Sequence, residues 1–266
     1  SIEVHPVEGS LNTGATVILA AGGGHNTLNV GSESADFVPY FFNYGVNTVI
    51  LRNRLRKDGY NVQRDAVNDA LQAVRLVRAH ARHWNLDPAR IGIMGFSAGA
   101  ELSSPAAVFF EDFDRTHNAP SDPLAGVSSR PDFVGIIYPG PTPFARGGSP
   151  PIPRNAPPAF ITCAGAGDRG HALWANDYFL AMLQAGIASG TAIEAILRAG
   201  GDPALVQSAA LANRVSQSVI TAAADRAGVS LPSTGPIAGG SGTGFGPTGN
   251  TGGPPGSSGG GTPSKR

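Results

Sequence analysis

Short apolar runs recur along the first two thirds of the chain, separated by longer segments in which apolar positions repeat every three to four residues. The runs at Ala15 to Ala20, Asn47 to Leu51, Ile91 to Met94, Phe133 to Tyr138 and Ala159 to Cys163 read as strands buried on both faces. Between the second and third, Val67, Ala70, Leu71, Val74, Val77, Ala81 and Trp84 share one helical face, and Asn85 with Asp87-Pro88 stops that helix. Strands alternating with helices predict an α/β fold, an open and mostly parallel sheet with helices on both faces. A right-handed crossover then sets Ile91 to Met94 parallel to Asn47 to Leu51 and near it.

Beyond these elements the pattern weakens. Phe110 to Pro131 and Pro139 to Pro158 read as loop excursions of the kind that build clefts beside strand ends. Thr191 to Leu197 is a candidate final strand, and Ala204 to Asn213 and Val215 to Ala227 read as Ala-rich helices of mild amphipathicity. From Pro232 onward the chain is almost wholly Gly, Ser, Thr and Pro, which cannot bury enough apolar surface to offset ordering entropy. The expected division is a core over 1–197, a divergent helical segment over 198–231 and a disordered tail over 232–266. No internal repeat is visible.

Charge narrows the partners. Nineteen Lys and Arg balance nineteen Asp and Glu, so no net field steers the chain to nucleic acid or an acidic membrane surface. No apolar stretch approaches the roughly 20 residues of a membrane helix. The single cysteine, Cys163, forms no internal disulfide and has no second thiol for a zinc site. No metal or cofactor motif is present. A first residue of Ser1 rather than Met is expected from removal of a leader, removal of an N-terminal segment or a chosen boundary of the sequence; the chain reads as soluble, its compartment is unknown, and a removed leader would make it secreted or periplasmic. Oligomeric state is not legible.

Chemistry concentrates at two glycine-rich turns. Gly95-Phe96-Ser97-Ala98-Gly99 follows one apolar strand and precedes a helix-compatible run, Ala98 to Val108. A strand-to-helix turn this tight exposes Ser97 Oγ as a nucleophile and leaves the Ala98 N–H to receive developing negative charge. Ala21-Gly22-Gly23-Gly24-His25-Asn26 follows the first strand, where the Gly23 and Gly24 amides are candidates for the other half of an oxyanion hole. No Gly-Lys-Ser or Gly-Lys-Thr follows, so this is not a nucleotide phosphate loop.

Gly-Gly-Gly-His after a first strand, Asp87-Pro88-Ala89-Arg90-Ile91-Gly92 leading into Gly-Phe-Ser-Ala-Gly, Arg130-Pro131-Asp132-Phe133, and Pro157-Pro158-Ala159-Phe160 before Asp168 follow one another in that order. Together they resemble the carboxylesterase and acetyl xylan esterase-like branch of the α/β-hydrolases, over about Leu11 to Ile187. The resemblance implies an α/β-hydrolase fold, incomplete at both ends, and hydrolysis of a small-molecule or carbohydrate ester carrying a short acyl group. It also implies that Asp168, in the loop after a late strand, is the acid that orients a general-base imidazole. Without the resemblance, Asp168 reads as a solvated carboxylate near a helix cap.

The base itself is missing from its expected place. The resemblance implies a histidine after the final strand, framed by glycine, yet the last histidine is His171, and Arg198-Ala199-Gly200-Gly201-Asp202-Pro203 puts Asp202 in that slot. An aspartate, titrating near pH 4, is a poor base toward a serine hydroxyl, and two neighbouring aspartates repel. His171, His25 and His117 are the histidines left to serve, each also readable as a loop or cap residue. A rival expectation is therefore a catalytically defective pseudo-hydrolase, or a chain whose reading frame shifts after Ile187.

Other polar residues have quieter readings. His80 and His83 read as solvated helix residues, Glu101 as a buried structural hydrogen-bonder, and Arg52, Arg54 and Arg56 as paired, solvated or in contact with an acidic sugar. Trp84 reads as helix core, and Trp174, Tyr178 and Phe179 as cleft lining or helix packing.

Overall fold

The computed structural model describes residues 1–164, 167–185, 203–212 and 215–232. Six strands, β1 (Ile2–His5), β2 (Thr16–Ala20), β3 (Asn47–Leu51), β4 (Ile91–Phe96), β5 (Val134–Ile137) and β6 (Ala159–Thr162), form one sheet in the order β1-β3-β2-β4-β5-β6. All neighbours are parallel except β1, which pairs antiparallel with β3. The five apolar runs each hold a strand, but β6 is not buried on both faces as expected, because it ends the sheet order and its residues alternate half-buried and exposed. β2 lies between β3 and β4, so the β3 and β4 of one βαβ unit sit two places apart rather than side by side.

β1 escaped the pattern because its four residues, Ile2-Glu3-Val4-His5, alternate apolar and polar and stay partly exposed at the sheet edge. β2 and β3 are instead buried at every position, which requires apolar cover on both faces.

Side chains alternate across the sheet as a period of two demands. Ile18, Ala20, Val49 and Ile93 pack on one face against the helices α3 (Val67–Ala79) and α4 (Ala100–Thr116), through Leu71, Val74, Leu102 and Ala106. Val17, Leu19, Phe96 and Ile137 pack on the other, against Phe37 and Phe41 of the segment holding the short helices α1 (Val30–Glu33) and α2 (Val38–Asn43).

The stretch from Phe110 is not loop at its start. α4 runs on to Thr116, with Phe110 and Phe113 buried while Glu111, Asp112 and Arg115 take the solvent side, so a polar-looking string is an amphipathic helix end. Later come α5 (Arg169–Gln184), α6 (Pro203–Ala212) and α7 (Gln217–Ala227). The last two follow the Ala-rich segments. The candidate strand at Thr191 to Leu197, Asp202 and the Gly-rich tail from 233 lie outside the described residues.

Candidate functional site

The chain leaves β4 at Phe96, and Ser97 takes φ +52° before a single tight turn, Ser97–Gly99, opens α4. Left-handed backbone in a residue with a Cβ costs on the order of 1–3 kcal/mol and persists only where packing enforces it. Packing does so here. A Cβ on Gly99 would run into the Ala20 carbonyl, so α4 meets β2 backbone to backbone. A Cβ on Gly22 would lie 2.7 Å from the Phe96 carbonyl oxygen and 2.9 Å from Ser97 Cβ, so the glycine loop after β2 presses directly on the turn.

That loop is held from below. Gly22 N donates to Glu33 Oε2 at 2.6 Å, and Tyr138 Oη donates to Glu33 Oε1 at 2.9 Å. The Gly23 carbonyl accepts the amides of Asn26 and Thr27 at 3.1 and 3.2 Å. Gly23 and Gly24 have φ of +125° and +60°, and no hydrogen bond from either amide is found among the described residues. Ala98 is buried in the first turn of the helix, where an N–H has no intrahelical acceptor. The Glu33 clasp on Gly22 had no signal in the sequence, because it joins positions eleven residues apart in a loop without periodicity.

Tyr138 follows the last strand residue of β5 just as Ser97 follows that of β4, the two strands being in register at Phe96 and Ile137. Burial, and then the hydrogen bond to Glu33, push its phenol up to about 12. A phenol whose folded value exceeds its unfolded value of about 10 contributes stability below pH 10 that is lost as pH rises toward 12. Urea midpoints at pH 9 and pH 11 should therefore fall more in the wild type than in Tyr138→Phe. An equal fall would show that the Glu33 bond is not coupled to folding.

Asp168 sits immediately before α5, yet its carboxylate does not cap the helix amides. It goes to His171, whose Nδ1 lies 2.7 Å from Oδ1 and 2.8 Å from Oδ2. The His171 ring packs edge-on to Tyr138 at 6.3 Å and to Trp174 at 5.9 Å between centroids. Both members of the pair are about one third exposed.

His25 and Glu101 form a second pair, Nε2 to Oε2 at 3.1 Å, with His25 buried. Glu101, one helical turn past Ser97, packs on Gly140, whose amide meets the Ser97 carbonyl at 3.4 Å. The structural hydrogen bond expected of Glu101 is the one to His25, with Glu101 half-buried rather than buried. A cavity of about 490 Å³ opens beside the pair, walled by Gly24, His25, Arg56, Glu101, Thr142 and Arg146 among others, and Ser97 is not part of that wall. His80 bonds to the Leu76 carbonyl and stacks on Trp84, while His117 bonds to that of Phe113. Tyr178 is fully buried, whereas Phe179 is exposed.

A family model described as BD-FAE matches residues 5–133. An acetylxylan esterase of Xylanibacter ruminicola is 33% identical over 127 residues, which are 48% of this chain and 23% of that protein. An endo-1,4-beta-xylanase B of Butyrivibrio fibrisolvens is 34% identical over 100 residues, 37% of this chain and 15% of the relative. The acetyl ester-xyloside bifunctional hydrolase of Caldicellulosiruptor lactoaceticus superposes with a TM-score of 0.60 at 23% identity, over 70% of this chain and 74% of that one. The chain has the α/β-hydrolase fold, and its residues 5–133 are similar to the BD-FAE family. A lipase/esterase from Lactobacillus plantarum shares this α/β-hydrolase fold, with a TM-score of 0.59 at 18% identity over 70% of this chain and 82% of that one. The matching segment spans less than a quarter of either curated relative. No helix among the described residues is long and apolar enough to cross a membrane.

Proposed function

We propose that the chain is a serine carboxylic-ester hydrolase acting on short acyl groups, with carbohydrate acetates as the substrate class its relatives suggest. The observation that carries this reading is Ser97 in left-handed backbone at a strand-to-helix turn, pressed between glycines. Such strain is retained where a side chain must stand clear of the fold to react. Ser97 Oγ attacks the acyl carbon, and the amides of Gly23, Gly24 and Ala98 stabilise the oxyanion. The proton passes to an imidazole and then to the departing alcohol. Water repeats the sequence on the acyl-enzyme and frees the acid.

The geometry best supports His171 as that imidazole. Asp168 engages Nδ1, which fixes the tautomer and leaves Nε2, without a partner among the described residues, to take the proton. The absence of any histidine after His171 favours a second reading, in which the base is lost and Asp202 fills its slot.

A fluorophosphonate should label the wild-type protein and fail to label Ser97→Ala. Equal labelling of the two would remove Ser97 from the mechanism. Absence of labelling in both, with Asp202→His restoring it, would establish the second reading.

A further inference from the structure

We propose that the cavity beside the His25–Glu101 pair is a subsite for an acidic sugar, a uronate residue next to the ester that is cut. The inference rests on the esterase reading for its biological sense, but binding at the cavity is testable without turnover. Three features of the wall converge on that chemistry.

Arg56 and Arg146 both line the cavity and are exposed at it, and neither has an ion-pair partner among the described residues. The nearby arginines differ in this respect, since Arg52 pairs with Glu3, and Arg54 with Asp69 and Asp65. A guanidinium offers a planar fork that fits a carboxylate with two parallel hydrogen bonds. Glu101 is the acidic residue in the wall, and its carboxylate is turned to His25, so the two arginines leave the cavity net positive.

Thr142 supplies the second feature. It lines the same cavity, is 94% buried, and its Oγ1 has no hydrogen-bond partner. A buried hydroxyl left unsatisfied costs about 1–3 kcal/mol, and a ligand hydroxyl would relieve it. Gln63 adds an amide to the wall.

The third feature is apolar. Val62, Val67, Pro105, Phe109, Pro141 and Pro143 complete the wall, giving C–H and aromatic surface of the kind a sugar ring lies against. At about 490 Å³ the space exceeds what an acetyl group needs and suits one pyranose ring. Its position is also apt. Gly24 belongs to the glycine loop, and the Arg56 amide bonds to the His25 carbonyl at 2.9 Å. Glu101 and Pro141 each border residues that contact Ser97. A substituent bound there would lie beside the sugar whose acyl group reaches the serine.

Calorimetric titration of Ser97→Ala, which needs no catalysis, with sodium D-glucuronate, D-xylose and sodium sulfate separates the alternatives. Glucuronate should bind more tightly than xylose, and adding Arg56→Gln with Arg146→Gln should weaken it by about tenfold or more. Lysine at both positions should restore part of the loss, since it returns charge without the fork. Arg115→Gln, at a guanidinium already paired with Asp112, should change nothing. Equal glucuronate binding with and without the two arginines would overturn the proposal, as would no binding at all. Sulfate competing as well as glucuronate would reduce the site to a general anion site and overturn the sugar assignment. Because each arm is read in a chain lacking Ser97, loss of the esterase reading would appear in labelling and not here.

Discussion

Replacing His171 by alanine is expected to lower acetyl ester turnover by about four to six orders of magnitude, read as p-nitrophenyl acetate cleavage at saturating substrate. Removing the base from a serine hydrolase leaves only what oxyanion amides and binding provide, roughly 10³-fold over water. The argument is geometric. Among the described residues Asp168 engages this imidazole, through Nδ1 at 2.7 Å, and a carboxylate there both fixes the tautomer and stabilises the imidazolium. Asp168→Asn should accordingly cost on the order of 10⁴ while leaving fluorescence-detected folding intact. His117→Ala is the control, because that ring stacks on Phe113 at 3.9 Å and bonds locally. Unchanged turnover in His171→Ala, together with a gain in Asp202→His, would transfer the role to position 202.

The same residues show how much of the molecule was legible beforehand. Strands β2 to β5 were readable because each is a short apolar run flanked by turn residues, and burial on both faces leaves little alternative, whereas β6 was readable as an apolar run although Phe160 is exposed. Ser97 was readable because a turn with glycine on both sides between a strand and a helix has few other uses. What stayed hidden depends on distance along the chain. Glu33 joins Gly22 to Tyr138, and Glu101 joins His25, across 105 and 76 residues in their longer spans, with no local period to betray either link. Asp168 with His171 was visible as a spacing of three, yet that spacing alone does not separate a helix-cap contact from an acid holding a base. In the structure Asp168 stands at the N-cap position, and its carboxylate bonds to the His171 ring and not to the helix amides.

The cavity illustrates a different limit. Arg52, Arg54 and Arg56 look equivalent as an alternating set after β3. Folding separates them, because the first pairs with the edge strand β1, the second with acids at the start of α3, and the third lines the cavity without an ion-pair partner among the described residues. Which of three like charges remains free is decided by tertiary neighbours, and no window of sequence contains them.

The largest expected effect on stability falls far from Ser97, at Arg75 on α3. This guanidinium is 1% exposed, a placement tolerated only when every donor is satisfied. All five are. Nε donates to the Val127 carbonyl, Nη1 to Gln72 Oε1 and Asp122 Oδ2, and Nη2 to the His117 carbonyl, each at 3.0 Å, with Leu124 O as the fifth acceptor. One side chain thereby fastens the whole connection from the end of α4 to residue 127, and the Phe113 ring lies 5.9 Å beneath it. The Leu124 amide, and then Arg75, hold the Asp122 carboxyl below the usual carboxylate range.

Arg75→Ala strips three part-buried carbonyls of their partner at once, leaves Asp122 without its buried cation and opens a void, so a loss of about 3–5 kcal/mol is expected. In a domain of this size that is a fall in melting temperature of roughly 10 °C. Arg75→Lys should recover only part of it, because an ammonium cannot reach five acceptors spread around a plane. Arg115→Ala, on the same region but 74% exposed in its pair with Asp112, should stay within about 0.5 kcal/mol of wild type. Equal melting of Arg75→Ala and Arg115→Ala would mean that the 117–127 connection is held by its own turns and not by the arginine. Loss of helix signal at the C-terminal end of α4, by amide exchange at 110–116, would instead locate the damage where the guanidinium binds.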